Sequence, residues 1–238
     1  MKASIQLWSL NRVIPEIGIK AALKLVAEAG YSGVEFAGFG DIPAEEMAVE
    51  LQKNGLYSVG SHTGIKAFEN DLEKNLEYNK KIGSEYMIIP SSELKSADDV
   101  KKLVNLLNKS AETAKSYGIK VGYHNHEYEF EKINNKYILD IIAEETSADV
   151  IMEIDAYWVE YADENVYEYI KKLGKKVELV HFKQIGSEKS NPRLPYGDID
   201  FARLKIDSVF AKHFIVEQED ESDQIESAKI NMEYLKSL

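Results

Sequence analysis

The sequence predicts an α/β protein that folds as a single-domain (β/α)₈ TIM barrel over residues 1–238. Short apolar stretches alternate with longer amphipathic stretches along the chain, and eight such pairs can be counted at about 30 residues each. No linker, low-complexity tract or long block of charge divides them. A doubly wound sheet gives the same alternation, but it has fewer units, and no glycine-rich phosphate loop follows the first apolar stretch. These observations favour the barrel.

The first half of the chain is expected to contain four strand–helix units. Pro43 lies near the first turn of the second expected helix, and Ser96 with Asp99 forms nearly a capping box at the start of the fourth. Glycines at the ends of the apolar periodicity stop each helix before the next strand. The expected strands are ASIQLWSL, YSGVEFAGF, LYSVGSHTG and EYMIIPSS, and the expected helices are PEIGIKAALKLVAEAG, PAEEMAVELQKNG, FENDLEKNLEYNKKIG and SADDVKKLVNLLNKSAETAKSYG.

The second half continues the same alternation. Gly118 and Gly174 each end a helical pattern shortly before a strand begins. The expected strands are IKVGYHNHEYEF, DVIMEIDAYWV, KVELVHFKQI and HFIVEQED, and the helices that follow them are expected near 137–146, 164–173, 200–205 and from 222 to the end.

Composition excludes several classes of function. Lys and Arg number 29 against 41 Asp and Glu, so the net charge is −12, and such a surface repels the phosphate backbone of a nucleic acid. There are no cysteines, which excludes disulfides and thiolate chemistry and fits a reducing compartment. Neither a signal peptide nor a membrane span is recognisable. We therefore expect a cytoplasmic protein with no nucleic-acid or membrane partner.

Polar residues recur on one face of the last four predicted strands. In a barrel, active sites form at the carboxyl ends of the strands, and side chains two positions apart share a face. The apolar neighbours suit the helix-facing side, so the polar residues are expected to point inward. The inward set is His124, His126, Glu153, Asp155, His181, Lys183 and Glu217, and the first half adds Gln6, Trp8, Glu35 and His62.

The convergence of imidazole and carboxylate predicts a divalent metal site formed by His124, Asp155, His181 and Glu217. Like charges in a low-dielectric cavity repel one another, and a cation removes that cost. Each residue alone has a simpler reading: a strand histidine is often a hydrogen-bonded core residue, and Glu153 could pair with Lys183. The two tryptophans are more often packing residues than sugar platforms. Polar residues occupy the inward-facing positions at the ends of all four neighbouring strands, and this agreement favours the metal site.

Six stretches resemble the sugar phosphate isomerase/epimerase family of xylose isomerase-like TIM barrels: IQLWSL, GYSGVEFAG, YHNHEYEF, MEIDAYWV, VHFKQI and IVEQED. The resemblance runs essentially end to end. It implies a divalent metal held by Glu, Asp, His and Glu on strands five to eight, and Asp155, His181 and Glu217 match the last three. His124 stands where the family commonly has the first glutamate, which in epimerases also exchanges protons with the substrate. Glu153 and His126 are the candidate substitutes.

The predicted function is that of a divalent-metal-dependent (Mn, Co, Fe, Zn or Mg) isomerase or epimerase. Its substrate would be a carbohydrate (a sugar, sugar phosphate or keto-sugar), and a proton next to a carbonyl would be removed through an enediolate. Glu217 or Glu153 would take the proton and His126 would deliver one. The expected substrate-binding residues are Trp8, His62, Trp158 and Lys183.

Three alternatives remain open at the level of sequence. The first is a dehydratase or lyase that eliminates a β-substituent from a keto-sugar or inosose. The second is a non-catalytic sugar-binding barrel. An abasic-site endonuclease is less favoured, because its metal cluster needs more ligands than five histidines readily supply and DNA binding prefers a basic face. A homodimer paired through the outer helices is an alternative to a monomer.

Overall fold

Eight parallel strands close into a barrel in the computed structural model, which describes residues 3–219 and 221–238. A separate two-stranded antiparallel hairpin follows the fifth barrel strand. The barrel strands are β1 (Ser4–Gln6), β2 (Gly33–Phe36), β3 (Tyr57–His62), β4 (Tyr86–Ile89), β5 (Lys120–His124), β8 (Val150–Asp155), β9 (Val177–Phe182) and β10 (His213–Val216), and the hairpin strands are β6 (Lys132–Ile133) and β7 (Lys136–Tyr137).

The strands pair in chain order around the barrel, and β10 closes it against β1. Helices connect successive strands on the outside, as the predicted (β/α)₈ barrel requires, so that prediction is confirmed. None of the helices within the described residues is both long enough and apolar enough to span a membrane. The helices are α1 (Ile14–Ile17), α2 (Ile19–Ala29), α3 (Ala44–Asn54), α4 (Ile65–Asn70), α5 (Leu72–Lys81), α6 (Ala97–Ala114), α7 (Ile138–Glu145), α8 (Ala156–Tyr161), α9 (Val166–Leu173), α10 (Phe201–Asp207) and α11 (Gln224–Lys236).

Alternation along the strands produces two apolar layers. The residues predicted to face the helices do pack in the layer between strands and helices, among them Val121, Ile154 and Phe182. A smaller apolar cluster fills the barrel interior, and Gly122 leaves room for it, since a Cβ there would lie 2.7 Å from Ile88 and Ile151. The interior cluster consists of Val59, Tyr86, Ile88, Ile151, Leu179 and Ile215. The next inward position on each of β8 and β9, and the one just beyond β10, is polar: Glu153, His181 and Glu217.

Each predicted strand ends earlier than expected, and in two of them a polar side chain caps the turn that follows. The side chain of Gln6 accepts a hydrogen bond from the Trp8 backbone N–H at 3.0 Å, and residues 7–10 form a 3₁₀ turn. Asp155 likewise accepts from the Tyr157 N–H at 2.9 Å and begins α8. Trp8 and Trp158 therefore lie on a turn and on a helix, where the sequence had predicted strands.

Two predicted helices are each divided in the structure. The first is broken at Gly18, whose φ of 80° lies in the left-handed half of the map, and the third is broken at Asp71. The β6–β7 hairpin was not predicted, although the Asn134–Asn135 pair that turns it, with φ of 51° and 64°, is a recognisable turn signal. Ser96 caps α6 as expected, accepting a hydrogen bond from the Asp99 N–H at 3.3 Å.

Candidate metal centre

Four side chains converge where the last four barrel strands end. His124 and Asp155 are the final residues of β5 and β8, His181 is the penultimate residue of β9, and Glu217 follows β10 directly. Each offers one ligand atom, and these four atoms all lie within 4.8 Å of one another. All four side chains are buried. The structure thus brings together the four residues predicted as metal ligands, which are called the candidate metal centre below.

One polar atom of each of these residues lacks a hydrogen bond within the described part of the chain. The four atoms are His124 Nε2, Asp155 Oδ2, His181 Nδ1 and Glu217 Oε2. His181 Nδ1 lies only 2.7 Å from Glu217 Oε2, and His124 Nε2 lies 3.5 Å from Asp155 Oδ2. A buried polar atom without a partner costs about 1–3 kcal/mol. Two imidazole nitrogens and two carboxylate oxygens are a donor set that suits Zn²⁺, Mn²⁺, Co²⁺ or Fe²⁺, so these residues fit a divalent metal.

The other polar atoms of His124 and Asp155 are engaged in ways that orient these side chains. His124 Nδ1 lies 3.3 Å from the Pro90 carbonyl oxygen, to which it donates, and this leaves the Nε2 lone pair free. Burial lowers the pKa of His124, so the ring is held in the neutral form that can bind a metal. Asp155 uses Oδ1 to cap α8 and keeps Oδ2 free.

Lys183 lies close to three carboxylates at the site. Its Nζ lies 2.8 Å from Glu219 Oε1, 3.2 Å from Glu217 Oε1 and 3.7 Å from Asp155 Oδ2. Burial lowers the pKa of Lys183, but the charges of Glu217 and Asp155 outweigh burial and raise it above its ordinary value. Lys183 is 1 % exposed and does not line the cavity described below, so it lies behind the acidic groups that it pairs with.

A second polar group lies beside the candidate metal centre, one layer deeper in the barrel; Gln6, Glu35, His62 and Glu153 are called the floor cluster. His62 Nε2 lies 2.7 Å from Glu153 Oε2, and Gln6 Nε2 donates to Glu35 Oε2 at 2.7 Å. His181 joins the two groups, because its Nε2 lies 2.9 Å from Glu35 Oε2. The ligand atoms of Glu35, His62, Glu153 and His181 also lie within 4.8 Å of one another.

The two carboxylates of the floor cluster differ in the effect of their surroundings. Burial, and then the charge of Glu153, raise the pKa of Glu35. Burial also opposes ionisation of Glu153, but the charges of His181 and His62 prevail and hold its pKa well below the ordinary value. The charges of Glu35 and Glu153 raise the pKa of His62 against the lowering effect of burial. The cluster is therefore held together by charge as well as by hydrogen bonds.

A cavity of about 460 Å³ opens onto the candidate metal centre. That volume lies within the range of small-molecule sites. Its wall combines aromatic rings with imidazole and carboxylate groups. The lining residues are Trp8, Ala37, His62, Pro90, Ser91, His124, His126, Trp158, Glu217 and Glu219.

His126 lies at the rim of this cavity, beyond the end of β5. Its ring stacks on Tyr128 at a centroid distance of 5.4 Å and lies 5.3 Å from the Trp158 ring. Burial, and then the nearby His124, lower the pKa of His126 to about 3, so the ring is neutral at neutral pH. Its backbone N–H donates to Glu129 Oε2 at 2.8 Å, which fixes the loop.

The predicted site residues divide into those that line the cavity and those that lie behind it. Trp8, His62, His126 and Trp158 line the cavity, whereas Glu153 and Lys183 do not. Sequence reasoning missed Glu219, because the acidic run that contains it reads as a solvated loop. Glu219 lies two positions after Glu217, so extending the same alternation by one step would have identified it.

Comparison with known proteins agrees with this architecture. The sequence model of the xylose isomerase-like TIM barrel family matches residues 23–238. A sugar phosphate isomerase/epimerase from Parabacteroides distasonis superposes with a TM-score of 0.86 at 22% identity, covering 99% of this chain and 94% of that one. A probable 3-DHS dehydratase from Bacillus anthracis gives 0.78 at 14% identity, covering 99% of both chains. The IOLI protein with bound zinc gives 0.79 at 15% identity, covering 100% and 97%.

These identities are below 25%, so the structural likeness shows the fold alone. No curated protein matches the sequence significantly.

Proposed function

The chain belongs to the family of xylose isomerase-like TIM barrels, and we propose that it is a divalent-metal-dependent isomerase or epimerase of a sugar, a sugar phosphate or a keto-sugar. The observation that carries the proposal is the set of four buried atoms without hydrogen bonds, one from each residue of the candidate metal centre. Two of these residues, His124 and Glu217, line a cavity of small-molecule size. Proteins of the same fold that are described as a sugar phosphate isomerase/epimerase and an L-ribulose 3-epimerase make this reaction class a reasonable one to test first.

The metal would be held by His124, Asp155, His181 and Glu217. When bound there, it supplies a Lewis acid that polarises a substrate carbonyl and stabilises the negative charge that develops on oxygen. The remaining steps fall to side chains of the chain itself.

Glu217 is the carboxylate that we assign to proton removal. It lines the cavity, and its second oxygen, Oε1, is fixed by Lys183 at 3.2 Å. A carboxylate held in this way can take the proton from the carbon next to the carbonyl, which leaves an enediolate. Returning a proton to the same carbon from the other face gives an epimer, and returning it to the neighbouring carbon gives an isomer.

His126 is the second proton-transfer group of the proposal. Its imidazole lines the cavity and is neutral, so it can accept a proton at one nitrogen while it releases one from the other. Glu153 is fully buried, and His62, whose Nε2 lies 2.7 Å from Glu153 Oε2, separates it from the cavity. Glu153 therefore acts only through His62. The faces of Trp8 and Trp158 form apolar walls against the C–H groups of the sugar.

Proton–deuterium exchange tests the proposal most directly. The protein is loaded with Mn²⁺, Co²⁺, Fe²⁺, Zn²⁺ or Mg²⁺ and incubated in D₂O with a panel of ketoses, ketose phosphates and keto-glycosides. Deuterium is expected at the carbon next to the carbonyl of at least one substrate, and chelator-treated protein is expected to show none. Protein that binds metal and sugar but exchanges no proton would instead be a sugar-binding barrel.

A specific observation favours a second candidate, a lyase that eliminates a β-substituent from a keto-glycoside. An apolar groove of about 450 Å³ adjoins the cavity and shares Trp8 and Ala37 with it. A sugar held at the metal centre could extend an apolar substituent into this groove. The same proton removal would then break the C–O bond to the substituent, which leaves with a proton, and form a carbon–carbon double bond conjugated to the carbonyl.

A 3-keto-glycoside with an aromatic substituent separates the two candidates. The lyase releases the free phenol and an enone that absorbs in the ultraviolet, whereas the isomerase exchanges the proton and keeps the glycosidic bond. Trp8→Ala is expected to lower kcat/KM of the lyase about tenfold for the aromatic glycoside, and less for a small keto-sugar. Equal losses for both substrates would remove the groove from the substrate site.

A further inference from the structure

The ring of His181 has a carboxylate beside each of its two nitrogens. Nδ1 faces the candidate metal centre, 2.7 Å from Glu217 Oε2 and 3.9 Å from Asp155 Oδ2. Nε2 faces the floor cluster, 2.9 Å from Glu35 Oε2 and 3.3 Å from Glu153 Oε1. The side chain of His181 is fully buried, so no solvent competes for either nitrogen.

Metal binding at Nδ1 determines what Nε2 must do. A neutral imidazole carries one hydrogen, and a nitrogen that binds a metal must offer its lone pair. The hydrogen is then on Nε2, where Glu35 Oε2 lies at hydrogen-bond distance. Glu153 Oε1, although close, has no hydrogen bond from any described residue. The geometry therefore selects Glu35 as the acceptor.

Glu35 is itself fixed by a neighbour whose orientation is determined. Gln6 Nε2 donates to the same Glu35 oxygen at 2.7 Å. Gln6 Oε1 accepts from the Trp8 backbone N–H at 3.0 Å, so a flipped amide would turn its NH₂ group towards another donor. Three successive hydrogen bonds therefore connect the turn that carries Trp8 to the predicted metal ligand His181, and they run through Gln6 and Glu35.

We propose that Glu35, held by Gln6, is a positioning residue that keeps the hydrogen of His181 on Nε2 and aims Nδ1 at the metal. The role rests on the metal centre of the proposed function and deepens it, because it explains a buried carboxylate that is not one of the four predicted ligands and does not line the cavity. An outer carboxylate of this kind orients the ring and raises its basicity as a ligand.

Two isosteric variants within one cluster provide the test. Glu35→Gln removes the carboxylate that accepts from the His181 N–H, and Glu153→Gln removes an equally buried carboxylate whose hydrogen bond is to His62. Zn²⁺ and Co²⁺ affinities are measured by chelator competition. Glu35→Gln is expected to weaken binding about 10–100-fold, and Glu153→Gln less than about threefold. The melting temperature of each metal-free variant separates a loss of affinity from a loss of folded protein.

Nitrogen-15 NMR of the zinc-loaded protein gives a readout that a purely structural role would not change. In the wild type, His181 is expected to show a metal-bound Nδ1 and a protonated, slowly exchanging Nε2, and in Glu35→Gln that proton is expected to exchange faster. If Glu35→Gln fails to fold, Gln6→Met retains Glu35 but removes its donor, and it is expected to weaken binding about threefold or more.

Several results would overturn the assignment. Zinc on Nε2 of His181, or equal losses of affinity in Glu35→Gln and Glu153→Gln, would remove the positioning role while leaving the metal centre intact. Two zinc equivalents per chain, one of them lost in Glu35→Gln, would make the floor cluster a second cation site instead. A wild type that binds no metal would refute the metal centre of the proposed function and this role with it.

Discussion

The candidate metal centre and the floor cluster are built from the same kinds of group and differ in how far their hydrogen bonds are completed. Both combine imidazole with carboxylate, all their members except the partly exposed His62 are buried, and His181 of the metal centre contacts both. In the metal centre none of the four facing atoms has a hydrogen bond within the described residues. In the floor cluster each carboxylate has one oxygen bonded and one free. Residue composition alone does not separate the two clusters, whereas the extent of hydrogen bonding does.

Glu129 is a buried carboxylate outside both clusters, and both of its oxygens accept hydrogen bonds. Glu129 accepts from the Tyr123 hydroxyl through Oε1 and from the His126 N–H through Oε2. The three cases are the metal centre, whose facing atoms have no hydrogen bonds, the floor cluster, whose carboxylates each have one bonded oxygen, and Glu129, whose two oxygens are both bonded. We expect them to respond differently to substitution and to metal. Removing a carboxylate should abolish metal binding in the first case. In the second it should reduce stability and, at Glu35, also weaken metal binding, and in the third it should change only the pH dependence of stability.

Asp155→Asn is expected to have the largest effect. Asn caps a helix as well as Asp does, so Oδ1 can still accept from the Tyr157 N–H, but the free Oδ2 is replaced by an NH₂ group that cannot bind a cation. Metal affinity should fall at least about 10³-fold, equivalent to about 4 kcal/mol, and proton exchange should be lost. The unfolding free energy without metal should change by less than about 1 kcal/mol.

Asp200→Asn is the matched control, because Asp200 caps α10 outside the site by accepting from the Arg203 N–H at 3.0 Å. It should retain the full metal affinity. An Asp155→Asn protein that binds metal as the wild type does would show that the unpaired oxygen is not a ligand.

His62→Gln tests the half-paired cluster. It removes the positive partner that lies 2.7 Å from Glu153 and 3.4 Å from Glu35, and leaves two buried carboxylates facing each other. Removing one partner of a buried ion pair costs about 3–5 kcal/mol; glutamine can still donate one hydrogen bond, so a loss of about 3 kcal/mol is expected in urea unfolding at pH 7. Metal affinity should change less than about tenfold. If the loss in metal-binding free energy exceeded the loss in unfolding free energy, His62 would belong to the metal centre.

Glu129 provides the pH prediction. Burial raises its pKa to about 7, above the value near 4.5 expected in the unfolded chain. The folded state therefore keeps the proton to higher pH than the unfolded state, so this contribution to stability is complete below about pH 4.5 and is lost as the pH rises through 7. The loss in unfolding free energy amounts to roughly 3–3.5 kcal/mol, at 1.36 kcal/mol for each unit by which the two pKa values differ.

Glu129→Gln should flatten this part of the profile, because the amide can donate to the Tyr123 hydroxyl and accept from the His126 N–H without titrating. Urea unfolding between pH 4.5 and 7.5 measures the slope, with the partly exposed neighbour changed in Glu127→Gln as the control. An unchanged slope in Glu129→Gln would mean that other groups cause the pH dependence.

The alternation of polar and apolar residues was sufficient to predict the barrel and the convergence of His124, Asp155, His181 and Glu217. Parity along a strand determines which face a side chain takes, and the parallel strands of a barrel end at the same rim. Parity does not determine depth. Glu153 and Asp155 share a face of β8, but Glu153 lies two residues earlier on the strand and contacts His62 in the floor cluster, whereas Asp155 lies in the candidate metal centre.

The positions of the two tryptophans depend on capping, which competes with strand continuation over a few residues. Gln6 and Asp155 end their strands by bonding the backbone N–H groups that follow. The apolar periodicity continues past Gln6 and Asp155, so the sequence pattern predicts that each strand runs on into the turn or helix that follows it. The contacts of Lys183 with three carboxylates from β8 and the segment after β10 are set by tertiary packing, and no local pattern in the sequence contains them.

Adding metal without changing the sequence is expected to have the smallest effect, and it compares all three classes of carboxylate at once. A ligand that binds only the folded state at a hundred times its Kd stabilises that state by about 2.7 kcal/mol. For a chain of this length, that raises the melting temperature by about 5–10 °C. The rise should be present in the wild type and in Glu129→Gln, should persist above the lower starting temperature of His62→Gln, and should vanish in Asp155→Asn. Because the same four proteins are scanned with and without Zn²⁺, a rise that survives in Asp155→Asn would locate the stabilising ion elsewhere, and a rise lost only in His62→Gln would locate it in the floor cluster.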